Sequence, residues 1–107
     1  MQNPISGSVG VRGINNRQDV GIVQHLLNRA RARRGVPKEQ IDVDGIFGPE
    51  TLAALKEFQK KYLKTVDGLV EINGETLKML HQIAGPFPRA NDGVSFLEPE
   101  MGPTRIV

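Results

Sequence analysis

The residues best placed to do chemistry in this chain come in two matched sets. Val43-Asp44-Gly45 is followed, seven residues after Asp44, by Thr51, and Val66-Asp67-Gly68, nine residues after Asp67, by Thr76. Each threonine opens an apolar helical row, Leu52-Ala53-Ala54-Leu55 in one case and Leu77-Lys78-Met79-Leu80 in the other. An aspartate before glycine either contacts a ligand or accepts the N–H groups of its own turn while the glycine supplies a positive φ. Thr51 and Thr76 either touch a ligand or bond locally, to backbone or to the loop aspartate. Phe47, on a loop flanked by Gly45 and Gly48, either plugs the core beneath the loop or offers an apolar wall to a sugar or peptide. The unequal intervals make this a degenerate internal repeat, since a tandem array needs three or more units to bury a continuous core.

Other chemistries find less support. Asp42-x-Asp44-Gly45 suggests calcium, but with Gly45 at the sixth loop position Gln40 falls at the first and Thr51 at the twelfth, so both the leading acid and the bidentate glutamate are missing. His25 and His81 have no histidine partner at helical spacing for zinc, and no cysteine exists to supply a thiolate or a disulfide. No metal or cofactor is implied. Ser6, Ser8 and Ser95 lie in irregular segments away from both histidines, so a Ser-His-Asp site is not foreseen, and Glu98 and Glu100 flank Pro99 with nothing to mark a cleft. No enzymatic function is therefore expected. Arg29, Arg31, Arg33 and Arg34 crowd one helix end, where the carbonyl dipole favours cations; the functional alternative is attraction to an anionic polymer.

Three helices must position these groups. Val20, Val23, Leu27 and Ala30, flanked by Ile22 and Leu26, recur at three- and four-residue steps, which predicts a helix over 17–34, capped by Asn16 or Asp19 and ended by Gly35. Pro49 suits a first helical position, and Leu52, Leu55, Phe58 and Tyr62 then line one face of a helix over about 49–63. Leu77, Leu80, Ile83 and Ala84 mark a third over about 74–84, ended by Gly85-Pro86. The expected organisation is an irregular N-terminal arm over 1–16, an all-α three-helix module over 17–85, and a Pro-rich tail or linker over 86–107, in which Phe87, Phe96, Leu97, Ile106 and Val107 should lie partly against the helices.

Bulk properties agree with one small domain. The chain has 107 residues, 24% charged and 38% apolar, with a net charge of +2. That surplus is too small to imply nucleic acid by itself. No apolar run reaches the ~20 residues of a membrane span. Residues 1–10 lack the basic start and apolar core of a secretory signal, so a role outside the cytoplasm calls for a signal-independent route.

Asp19-Val20-x-x-Val23-Gln24-x-x-Leu27-Asn28, then Val43-Asp44-Gly45-Ile46-Phe47-Gly48-Pro49-x-Thr51-x-x-Ala54-Leu55-x-x-Phe58-Gln59, then Val66-Asp67-Gly68 resemble, in order and spacing, the peptidoglycan-binding domain of bacterial and phage cell-wall hydrolases. The likeness covers about residues 8–84. Ser8-Val9-Gly10 with Asn15-Asn16 before Asp19-Val20 looks like the variant of type VI secretion-associated proteins. Two departures fall beside the implied groove. Tyr62-Leu63-Lys64-Thr65 replaces a His-Gly-Leu-Pro helix end, and Val70-Glu71-Ile72-Asn73-Gly74 replaces a shorter Gly-Pro segment.

The resemblance implies a non-catalytic three-helix module that holds an attached or partner hydrolase on the wall by gripping stem peptide or glycan. Its ligand-binding residues would be Asp44, Gly45, Phe47, Gly48, Thr51, Asp67, Asn73, Thr76 and Arg12. A protein-interaction adaptor on the same fold, for example a secretion-system component, is the alternative; it would use the altered second loop and the tail. A third reading, a small nucleic-acid binder, rests on the arginines alone.

Overall fold

Residues 5–85 are described in the computed structural model of the chain. The first apolar stripe forms α1 (Arg17–Arg34), in which Val20, Val23, Leu26, Leu27 and Ala30 are fully buried. It ends as anticipated: Gly35 adopts φ 78° and its N–H reaches the Arg31 carbonyl at 2.7 Å. Helix α2 (Pro49–Tyr62) starts with proline in its first turn and buries Leu55 and Phe58, with the Phe58 and Tyr62 rings 4.9 Å apart. Helix α3 (Glu75–Ala84) lays Leu77, Leu80 and Ala84 into the core, and its main partner is α1. All three helices fall where the periodicity puts them, and the fold is all-α with one small addition.

That addition corrects the reading of the arm as devoid of regular structure. Strand β1 (Val9–Gly10) pairs antiparallel with β2 (Leu69–Val70), Val9 opposite Val70 and Gly10 opposite Leu69. Ile5 and Val9 are 2% and 0% exposed, so this segment is part of the core. A carboxylate fixes it: Asp19 accepts the Ser6 N–H at 3.1 Å, the Ser6 hydroxyl at 3.0 Å, the Gly7 N–H at 2.9 Å and the Asn16 amide at 3.2 Å. Neither Asn16 nor Asp19 therefore acts as the simple N-cap foreseen; Asn16 occupies the cap position without a side-chain cap bond. Gly10 is required at the ribbon, because its φ is 129° and a Cβ there would overlap the Gly68 carbonyl. The expected packing of Phe87, Phe96, Leu97, Ile106 and Val107 lies outside the described residues.

Candidate functional site

Each Val-Asp-Gly loop is folded around a glutamine buried in the preceding helix. Gln24 of α1, 1% exposed, donates through Nε2 to Asp44 Oδ1 at 3.0 Å, the Ile46 carbonyl at 3.1 Å and Thr51 Oγ1 at 2.9 Å, while its Oε1 accepts the Gly45 N–H at 2.9 Å. Gln59 of α2, also 1% exposed, does the same with Asp67 Oδ1 at 3.0 Å, the Leu69 carbonyl at 3.3 Å, Thr76 Oγ1 at 3.1 Å and the Gly68 N–H at 2.8 Å. In each loop the aspartate Oδ1 also accepts the N–H two residues on, from Ile46 at 3.0 Å and from Leu69 at 3.1 Å. Only a primary amide offers two N–H donors and a carbonyl on one short side chain, which is what a turn presenting both kinds of backbone group demands. The degenerate repeat is thus a repeat of bonds, and the unequal intervals are absorbed in the loops.

These contacts place the residues singled out from sequence. Thr51 and Thr76 are 3% and 7% exposed and accept from the glutamines instead of closing on backbone or aspartate. Gly45 and Gly68 turn at φ 78° and 68°. The Asp44 carboxyl is held below the usual range chiefly by the Ile46 N–H, then by the Gln24 amide, with Arg17 adding a favourable charge. Phe47 is half-buried and packs on the core, and Gly48 is the extended N-cap of α2 with open space where a Cβ would stand. Asn73 is exposed just before Gly74, the corresponding N-cap of α3.

Apolar side chains surround the loops on the outside. Ile46 is 65% exposed beside Gly45, Val66 43% beside Asp67, and Val11 and Ile14 are 39% and 68% exposed on the arm. The arm is tied to the second loop by the Val11 N–H on the Gly68 carbonyl at 2.8 Å. Its tip is held in the left-handed region at Arg12 (φ 64°) and Asn15 (φ 58°). Asn15 stabilises that turn, accepting the Gly10 N–H at 2.7 Å and donating to the Gly10 carbonyl at 3.1 Å. Arg12 therefore stands exposed next to the second loop, whereas the flanks of the first are Arg17 and Ile46. A bulky residue at positive φ is uncommon, and the bonds of Asn15 are what hold Arg12 there.

A separate cleft of about 370 Å³ lies between residues 37–42 and α2, with Glu39, Asp42, Glu50 and Glu57 in its lining and none of the residues proposed from sequence. What the sequence reading missed is Gln24 and Gln59. Their signal was available: each lies four residues after a core position, Val20 or Leu55, on a stripe that should be apolar. A polar residue buried on such a stripe must find partners, and the loops supply them.

Comparison with known families matches residues 16–80 to the model described as "Putative peptidoglycan binding domain". Comparisons with curated proteins and with solved structures give no match. The matched span takes in both glutamine-centred loops and nearly all of the three helices, well over half of the chain. The chain therefore belongs to the peptidoglycan-binding domain family, a helical binding module whose general target is the cell wall.

Proposed function

We propose that the module grips peptidoglycan with the outer face of its two loops and carries an attached or partner hydrolase or effector to the wall. The observation that carries this reading is the pair of glutamine-held loops. Their polar interior is satisfied from within, so they present a preformed rim instead of collapsing. On that rim Ile46, Val66 and Val11 offer apolar contacts to sugar faces or peptide side chains, and Arg12 offers a cation to carboxylates. Asp44, Gly45, Phe47, Gly48, Thr51, Asp67, Asn73 and Thr76 act in this reading as one unit: the loop aspartates, threonines and Gly45 shape the rim, and Gly48 leaves room for close approach of ligand. The module itself performs no catalysis. It acts at the periplasm or cell wall.

The test is a pull-down on protein-free sacculi at physiological salt, with an Ile46→Ser/Val66→Ser variant. Saturable wild-type binding, weakened several-fold in a variant of unchanged thermal midpoint, is the expected result. Failure of the folded wild type to bind would favour the adaptor reading instead, in which the exposed Val11 and Val66 at the second loop, together with residues 86–107, engage a protein partner.

A further inference from the structure

The arginines of α1 gather at an end of the molecule that the loops do not use. Rise along a helix is about 1.5 Å per residue, which sets Arg29 and Arg33 roughly 18 and 24 Å from Arg17, the α1 residue beside the first loop. Arg29 and Arg33 are one turn apart and converge: a Cβ on Gly85 would stand 3.3 Å from Nη2 of Arg29 and 3.7 Å from Nη2 of Arg33. Two guanidiniums thus lie over the end of α3, each within 4 Å of the same point. Among the described residues neither has a carboxylate within ion-pair distance.

Helix dipoles do not account for this charge. The C-termini of α1 and α3 meet here, with Gly35 bonded to the Arg31 carbonyl and Gly85 to the His81 carbonyl. Each end is equivalent to about half a negative charge, so the two together offset about one of the four arginines Arg29, Arg31, Arg33 and Arg34. Arg31 is further engaged, its Nε donating to the Lys38 carbonyl at 3.0 Å, and that contact brings in another cation. The local field is felt by its neighbour: Arg29, second to burial, pushes the His25 imidazole below its ordinary pKa.

We infer that Arg29 and Arg33, with Arg34 beside them, form a second wall contact that takes the carboxylates of the peptide part of peptidoglycan, at a distance from the loop face. This rests on the wall-binding reading; given that polymer, its anions are peptide carboxylates, and a guanidinium pair is the planar, forked donor set that suits them. The module then holds the wall at two points, the loops supplying shape and the arginine end supplying charge.

The experiment compares wild type and Arg29→Gln/Arg33→Gln on untreated sacculi and on sacculi whose carboxylates have been converted to methylamides, with far-ultraviolet circular dichroism to verify helicity. The wild type should bind untreated sacculi about three- to tenfold more tightly than the variant, as expected for losing two solvent-facing charge contacts. Amidation should weaken the wild type by clearly more than it weakens the variant, whose only remaining carboxylate contact is that of Arg12 on the rim. Equal binding of variant and wild type, or an equal effect of amidation on both, overturns the second contact while the wall reading stands. Wild-type binding to neither preparation overturns both. Arginine-dependent binding to duplex DNA that exceeds binding to untreated sacculi would overturn the carboxylate assignment in favour of phosphate.

Discussion

At the scale of the residue, Gln24 and Gln59 are the side chains on which each loop depends. Removing one strands the loop N–H it accepted and the hydroxyl it donated to, and each buried group left without a partner costs about 1–3 kcal/mol. Gln59→Ala should therefore lower stability by roughly 2–4 kcal/mol in urea unfolding, and Gln24→Ala by a similar amount. Thr76→Ala added to Gln59→Ala should cost less than the two singles summed, because the second partner is already orphaned; strict additivity would show the hydroxyl to be independent. Acid should act on three residues in one direction. Burial lowers the His25 and His81 pKa values, and His81 Nε2 is buried with no hydrogen-bond partner among the described residues. The unfolded chain then takes up these protons first, so stability present above about pH 6.5 is lost as pH falls toward the depressed folded values. Asp44, also depressed, contributes stability that is lost at lower pH, from just below its ordinary value of 3.8 downward. Thermal midpoints should fall between pH 7.5 and 5.0, and His81→Phe should flatten that slope; an unchanged slope would exonerate His81.

At the scale of the element, the helices were legible in the sequence and the ribbon was not. The rows ending at Ala30, Tyr62 and Ala84 carry enough apolar steps to fix both length and face, and Gly35 and Pro49 mark ends that tertiary packing did not override. Strands of two residues carry no periodicity. Val9 and Val70 pair across the fold, and the Asp19 carboxylate holds Ser6 and Gly7 back over α1, a contact between residues twelve and thirteen apart. The loops were legible in part. Val-Asp-Gly announced the turn and its positive φ, and the apolar stripes flagged the two glutamines, but their bonds span eight to twenty-seven residues, so periodicity does not name the partners. It follows that the arm is a stability element. Ile5→Ala and Val9→Ala, each leaving a cavity in a filled core, should cost about 1–4 kcal/mol, and Asp19→Ala should release the segment and destabilise the fold comparably. Free exchange of the Gly7 and Val11 amides in the Asp19→Ala protein, against protection in the wild type, is the hydrogen-exchange signature to look for; persistent protection would mean that the β ribbon holds without its carboxylate anchor.

At the scale of the whole molecule, the two proposed contacts differ in physical character, and that difference can be measured without altering the wall. The loop face acts chiefly through apolar side chains and a satisfied polar interior, neither of which responds strongly to ionic strength, with Arg12 as its single rim cation. The arginine end acts through exposed charge. Screening acts over about 10 Å at 0.1 M salt and about 3 Å at 1 M. Raising sodium chloride from about 0.05 to 0.5 M should therefore bring wild-type affinity for sacculi down toward that of Arg29→Gln/Arg33→Gln and weaken the variant by a smaller factor, the share of Arg12. The Ile46→Ser/Val66→Ser protein should behave in the opposite way, weak at every concentration yet keeping the wild-type salt slope. Wild type and both variants sharing one slope would place the charge-dependent contact elsewhere, and Arg12, on the strained tip beside the second loop, would be the cation to remove next.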